Sequence, residues 1–163
     1  MPGPERADPT VAIVGLFRAV HERVRAALDQ LDDTGLTWVP TVGANSVATI
    51  VTHLVGSERE TLECVAGRPS ERHRAAEFEP RSHDRRSLTR AVDEADALLA
   101  ELAGHVDEDR LWAEVSLPTL AADLRRPGWS WLVENLGHAR EHLGHIELTG
   151  QLYRQRGDGR QTE

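Results

Sequence analysis

The stretch "HAREHLGHIELTG" holds His138, His142 and His145 close together on what reads as a single helix. Residues four apart on a helix lie on one face with Cβ atoms about 6 Å apart, so His138 and His142 can hold one cation between two imidazoles. His145 lies a turn further along, close to the same face. Two nitrogens make an incomplete site. A catalytic zinc takes three protein ligands and keeps one position open for water or substrate. His53, in "ATIVTHLVGSERETL", offers a third imidazole. Cys64 lies eleven residues beyond His53, roughly 16 Å along a helix, too far to share a cation with it. Glu58 and Glu60 are nearer and could orient a ligand from behind by hydrogen bonding.

Other chemistry has to be weighed against this. His138 to His142 also spells H-x-x-E-H, with Glu141 in the place of the water-activating acid of inverted zinc peptidases. That mechanism needs a further ligand well downstream, where the chain offers only Glu147, Asp158 and Glu163. Glu147 falls about 140° round the helix from the stripe of His142 and cannot close the site. The peptidase reading is therefore disfavoured. A histidine on a helix face also needs no ligand at all, and His21, His73, His83 and His105 read as solvent-exposed. Cys64 reads as a small buried residue near a helix end, and Trp129 and Trp131 as packing for the start of the last helix. "RHRAAEFEPRSHDRRS" reads as a solvated loop, with a lid as its alternative.

The elements that must position these residues follow from hydrophobic spacing. Val14, Phe17, Val20, Val24 and Leu28 recur at helical intervals, giving a first helix from Thr10 to about Leu31. Leu36, Trp38 and Val42 then cover one end of the core. A second helix starts at Asn45 or Ser46, runs along Val47, Ile50, Leu54, Thr61 and Val65, and stops at Gly67. Residues 68–86 are polar and long enough to cross the molecule from end to end. Ser87 caps a third helix, which ends near Gly104. Residues 107–128 are irregular, with Leu111 to Val115 a short extended piece, and a last helix runs from about Trp129 to Arg156. On that helix Leu132, Leu136, Ala139, Leu143 and Ile146 form the core stripe. Trp131, Asn135, His138, His142, His145 and Thr149 form a second stripe about 100° round, at the margin of the core.

Four amphipathic helices without a sustained strand predict an all-α fold, a four-helix bundle with long crossover connections, in one domain over residues 10–156. A flexible arm (1–9) precedes it and a polar tail (157–163) follows. At 163 residues with a net charge of −8, a phosphate-backbone partner is disfavoured. All the basic residues are arginine, which fits a GC-rich genome. The single cysteine fits a reducing, cytoplasmic setting, and no stretch is long and apolar enough to span a membrane.

The pairing of "NSVATIVTHLVGSERETL" with "HAREHLGHIELTGQL" resembles the DinB/YfiT-like superfamily, which includes the mycothiol-dependent maleylpyruvate isomerase type. The resemblance implies a DinB-like four-helix bundle, often a homodimer, binding a divalent metal, commonly zinc or nickel. It places the ligands on His53, His138 and His142, and leaves His145 outside, where the family more often has glutamine. It also implies transfer or isomerisation dependent on a low-molecular-weight thiol, such as mycothiol or bacillithiol, with a small electrophile as second substrate. Arg140 and Arg154 are candidates to hold such a thiol. The rival reading is a non-catalytic metal-binding or dimerisation bundle.

Overall fold

The computed structural model describes residues 9–79, 83–104 and 106–158. Most of the predicted arm, the end of the tail and His105 lie outside them. Four long helices, α1 (Pro9–Asp29), α3 (Val47–Val65), α4 (Arg85–Ala103) and α6 (Gly128–Asp158), form the bundle. Two one-turn helices, α2 (Asp33–Thr37) and α5 (Glu108–Trp112), and a two-residue antiparallel pair, β1 (Glu114–Val115) with β2 (Arg126–Pro127), occupy the connections. The piece predicted as extended over Leu111 to Val115 is thus the end of α5 followed by β1. No described helix is long and apolar enough to cross a membrane.

Side-chain caps set the helix starts. Ser46 accepts a hydrogen bond from the Thr49 N–H, Asp84 from Ser87 and Asp107 from Arg110, each satisfying a donor that the first turn leaves unpaired. Ser87 is therefore not the cap of α4 but its third residue, and Asp84 caps. After α3, Gly67 takes a left-handed φ of 74°, which turns the chain away. Phe17, Val24 and Leu28 from α1, Val51 and Leu54 from α3, Val92 and Leu99 from α4, and Leu132, Leu143 and Ile146 from α6 make the core. Leu36 joins it as expected, whereas Val42 is fully exposed.

Each long helix packs mainly against two others, in the order α1, α4, α3, α6 around the bundle. Their directions follow from specific contacts. Val14 and Leu132 wall one apolar gap while Arg23 reaches Glu147, so α1 and α6 run parallel. Arg25 bonds to Asp93 whereas His21 bonds to Asp96, so α4 runs against α1. Arg68 pairs with Glu101 at the end of α3, and Glu58 meets Asp96 through His21 further back, so α3 and α4 run parallel. Parallel neighbours cannot be joined by a short turn. The segment between them travels the length of the bundle, to where Arg85 donates to the carbonyl of Leu31.

His21 overturns its sequence reading, for it is wholly buried between α1, α3 and α4. Its Nε2 lies 2.8 Å from Glu58 Oε2 and its Nδ1 2.7 Å from Asp96 Oδ1, and Asp96 also accepts from Arg25. Burial lowers the imidazole pKa, but the hydrogen bonds and charges of Glu58 and Asp96 outweigh it and raise it above 6.5. Burial likewise pushes the Asp96 carboxyl up, and the bonds from His21 and Arg25 bring it below its ordinary value. A raised histidine stabilises fully below its unfolded pKa and loses that contribution as pH climbs through the folded value. A lowered aspartate contributes above its unfolded pKa and is lost as pH falls through the folded one. The thermal midpoint should therefore fall between pH 6 and pH 8.5 in the wild type, and stay nearly level when His21 and Glu58 are both replaced by leucine. Glu58→Leu alone breaks a buried pair and leaves His21 Nε2 without its acceptor, and should cost about 3–5 kcal/mol in denaturant unfolding.

Candidate metal centre

Helix α3 presents His53, and one turn later Ser57, towards α6. Opposite them, α6 presents His142, His138 and Asn135 in antiparallel order, with Ser57 bonded to Asn135. The His53 ring stands 5.2 Å from that of His138 and 5.0 Å from that of His142. The Nε2 atoms of His138 and His142 face each other at 2.9 Å, with the rings perpendicular. One ring nitrogen from each of the three histidines falls within 4.8 Å of the other two.

The crossover between α3 and α4 secures His53 from behind. A 3-10 turn over Arg74–Phe78 carries Glu77, whose Oε2 accepts from His53 Nδ1 at 2.7 Å. Arg72 donates to both oxygens of Glu77, at 2.7 and 2.9 Å, and to Glu60 Oε2 at 3.0 Å. Glu60 also accepts from the backbone and the hydroxyl of Thr119, tying the second long connection to α3. Phe78 lies 5.0 Å from the His53 ring. The Arg-rich stretch expected to be solvated therefore contributes Arg72 and Glu77, with side chains only 7% and 9% exposed. Gly56 makes this approach feasible: a Cβ there would collide with the Glu77 carboxylate.

Protonation favours free lone pairs. Burial lowers the pKa of His138, helped by the neighbouring charges of His53 and Arg72. Burial, with His138 and His53 close by, pushes His142 down to about 4. Burial pushes the Glu77 carboxyl up, but hydrogen bonds from Arg72 and His53 outweigh it and keep it ionised. A carboxylate accepting at His53 Nδ1 favours the tautomer in which Nε2 carries the lone pair. The Nδ1 atoms of His138 and His142 are buried and have no hydrogen-bond partner among the described residues.

Beside the histidines opens a cavity of about 320 Å³, with Leu117, Leu120 and Trp131 among its lining. Trp131 is fixed by donating to the Val115 carbonyl at 2.8 Å, while Trp129 is half out of the fold, against Trp112. The arginines bordering this cavity are Arg72 and Arg74; Arg154 borders a different one, with Arg23 and Glu147, and Arg140 is exposed.

Of the remaining sequence candidates, Glu60 acts on the site through Arg72, but Glu58 turns away to His21. His145 is exposed, 5.6 Å from the His142 ring, and stands outside the group of three. Glu141 is also exposed, and Glu147 is taken by Arg23. His73 is exposed as expected and His83 half-buried. Cys64 is half-buried rather than buried, and burial, with the charges of Glu60 and Glu63, pushes its thiol up to about 11.

Comparison with known proteins gives the same architecture. No curated protein matches the chain. Among the solved structures that superpose on most of its length are three. YfiT from Bacillus subtilis, described as a probable metal-dependent hydrolase with an unusual four-helix bundle topology, is 16% identical with a TM-score of 0.70, over 96% of this chain and 93% of that one. A DinB-like protein of the same organism, YjoA, is 15% identical with a TM-score of 0.67, over 86% and 90%. A conserved protein from Enterococcus faecalis is 15% identical with a TM-score of 0.68, over 90% and 98%. The family described as protein of unknown function DUF1572 matches residues 11–156. The chain belongs to this DUF1572 family, and it shares the fold of the DinB-like structures.

Proposed function

We propose that this protein is a divalent-metal-dependent enzyme in which His53, His138 and His142 hold the ion, zinc or nickel being best suited to imidazole donors. The observation that carries the reading is the convergence of three ring nitrogens within 4.8 Å at the edge of a cavity. The donor set fits. Two of the imidazoles are kept neutral by burial, and the third is oriented by a carboxylate, the arrangement that fixes the tautomer of metal-binding histidines.

The bound ion would supply a Lewis acid with an open position, where a thiol or a water molecule gives up its proton near neutral pH. The chain's own residues do the rest. Glu77 and Arg72 hold the His53 ring still, and Leu117, Leu120 and Trp131 give the cavity apolar lining. We take the nucleophile to be a low-molecular-weight thiol of the mycothiol or bacillithiol kind, transferred to a small electrophile. Hydrolysis is the second reading, favoured by the description of YfiT. Thiol conjugation measured with mycothiol, bacillithiol and glutathione, beside hydrolysis of small esters and amides, separates the two.

Elemental analysis of protein purified with zinc or nickel should find one ion per chain. The triple variant His53→Ala, His138→Ala, His142→Ala should carry none. A metal-free wild type, or a triple variant that retains its metal, would sink the proposal. Glu77→Gln should keep the fold but weaken metal affinity about 10–100-fold in a competition titration with a chelator. Gly56→Ala, which displaces Glu77 without altering a ligand, should do the same. Unchanged affinity in both variants would show that the carboxylate does not support the ion.

A further inference from the structure

Asn135 is buried, with 7% of its surface exposed, one turn before His138 on α6. Its Nδ2 donates to Ser57 Oγ at 3.0 Å, so the amide is clamped between the two helices that carry the histidines. Its Oδ1 has no hydrogen-bond partner among the described residues. Asn135 and Ser57 border the same cavity as His53 and His138. Leaving a buried carbonyl without a donor is unfavourable, and a group so placed gains when an occupant supplies one.

Apart from His138, the other buried polar groups of this wall are already engaged. Glu60 accepts from Arg72 and Thr119, Arg72 is held by Glu60 and Glu77, and the Thr61 hydroxyl donates to the Ser57 carbonyl. Glu134, at the rim, takes Arg126. Leu117, Leu120 and Trp131 complete the lining and offer shape but no acceptor side chain. A ligand reaching the three histidines therefore meets apolar side chains and one fixed amide oxygen that lacks a partner among the described residues.

We infer that Asn135 is the specificity-determining residue of this cavity. Its Oδ1 accepts a hydrogen bond from a hydroxyl or amide N–H that the ligand carries a short carbon chain away from the atom it presents to the histidines. This rests on the metal reading above and gives that site a substrate class: small polar molecules, selected against their purely alkyl analogues. A site built around a buried polar group rejects the analogue that lacks the matching one, because the protein atom is then left unpaired.

Cobalt(II)-loaded protein tests this through the absorption band that a bound thiolate gives. It is titrated with 2-mercaptoethanol against ethanethiol, and with 3-mercapto-1-propanol against 1-propanethiol. In the wild type the hydroxyl-bearing member of at least one pair should bind about tenfold more tightly. In Asn135→Leu, which keeps the side-chain volume, the difference should vanish while cobalt content and alkyl-thiol affinity stay as in the wild type. Asn135→Ala, which adds no bulk, repeats the comparison if the leucine variant does not fold. Equal affinities within both pairs in the wild type, or a preference that survives the substitutions, overturn the inference and leave the metal reading standing. Protein that takes up no stoichiometric cobalt overturns the metal reading, and this inference with it.

Discussion

Two helices that follow one another in the chain and lie side by side in parallel force the backbone to return the full length of the bundle. In this protein α3 and α4 are such a pair, and the return segment is the origin of much of the site. A short turn would have left the outer side of His53 open to water. The obligatory crossover instead lays Arg72, Glu77 and Phe78 against it. The second long connection, between α4 and α6, meets the first at Glu60 through Thr119. Both connections are therefore fastened to the helix that carries His53, and the cavity is walled by segments whose length the topology demands.

The interior treats its imidazoles in two opposite ways. Around His21 two carboxylates face one ring, and the balance favours a proton on both nitrogens. Around His138 and His142 no carboxylate is in bonding reach among the described residues, burial dominates, and the rings stay neutral. Only neutral imidazole can donate to a cation. The first cluster links three helices, and the second keeps its lone pairs. That contrast comes from which residues surround each ring rather than from depth, since His21 is the more deeply buried.

The bundle, the core stripes and the pair His138 and His142 were legible from spacing, because period 3.6 and an i, i+4 pair are local properties of a helix, whereas His53 joined them through its place at the core margin and the family resemblance. His21 shows where local reading failed although the signal was present. It stands four residues after Phe17 and three before Val24, inside the core stripe, a position that marks it as buried whatever its polarity. Glu77 and Arg72 were illegible for a different reason. Their segment is polar, carries no period and gains its meaning only from the helix it lies on. Asn135 was placed on the correct stripe, but its unpaired oxygen belongs to a contact with Ser57 that only the folded chain defines.

The absent side chain at position 56 has a consequence for reading related sequences. Glycine there is a vacancy through which an acid from a distant part of the chain reaches the back of the histidine three residues earlier. A homologue with a bulkier residue at that point must either lack the acid or hold its crossover away from α3. Glycine and acid should therefore appear and disappear together. Their joint presence, rather than the histidines alone, would mark the subset of relatives whose site is braced in this manner.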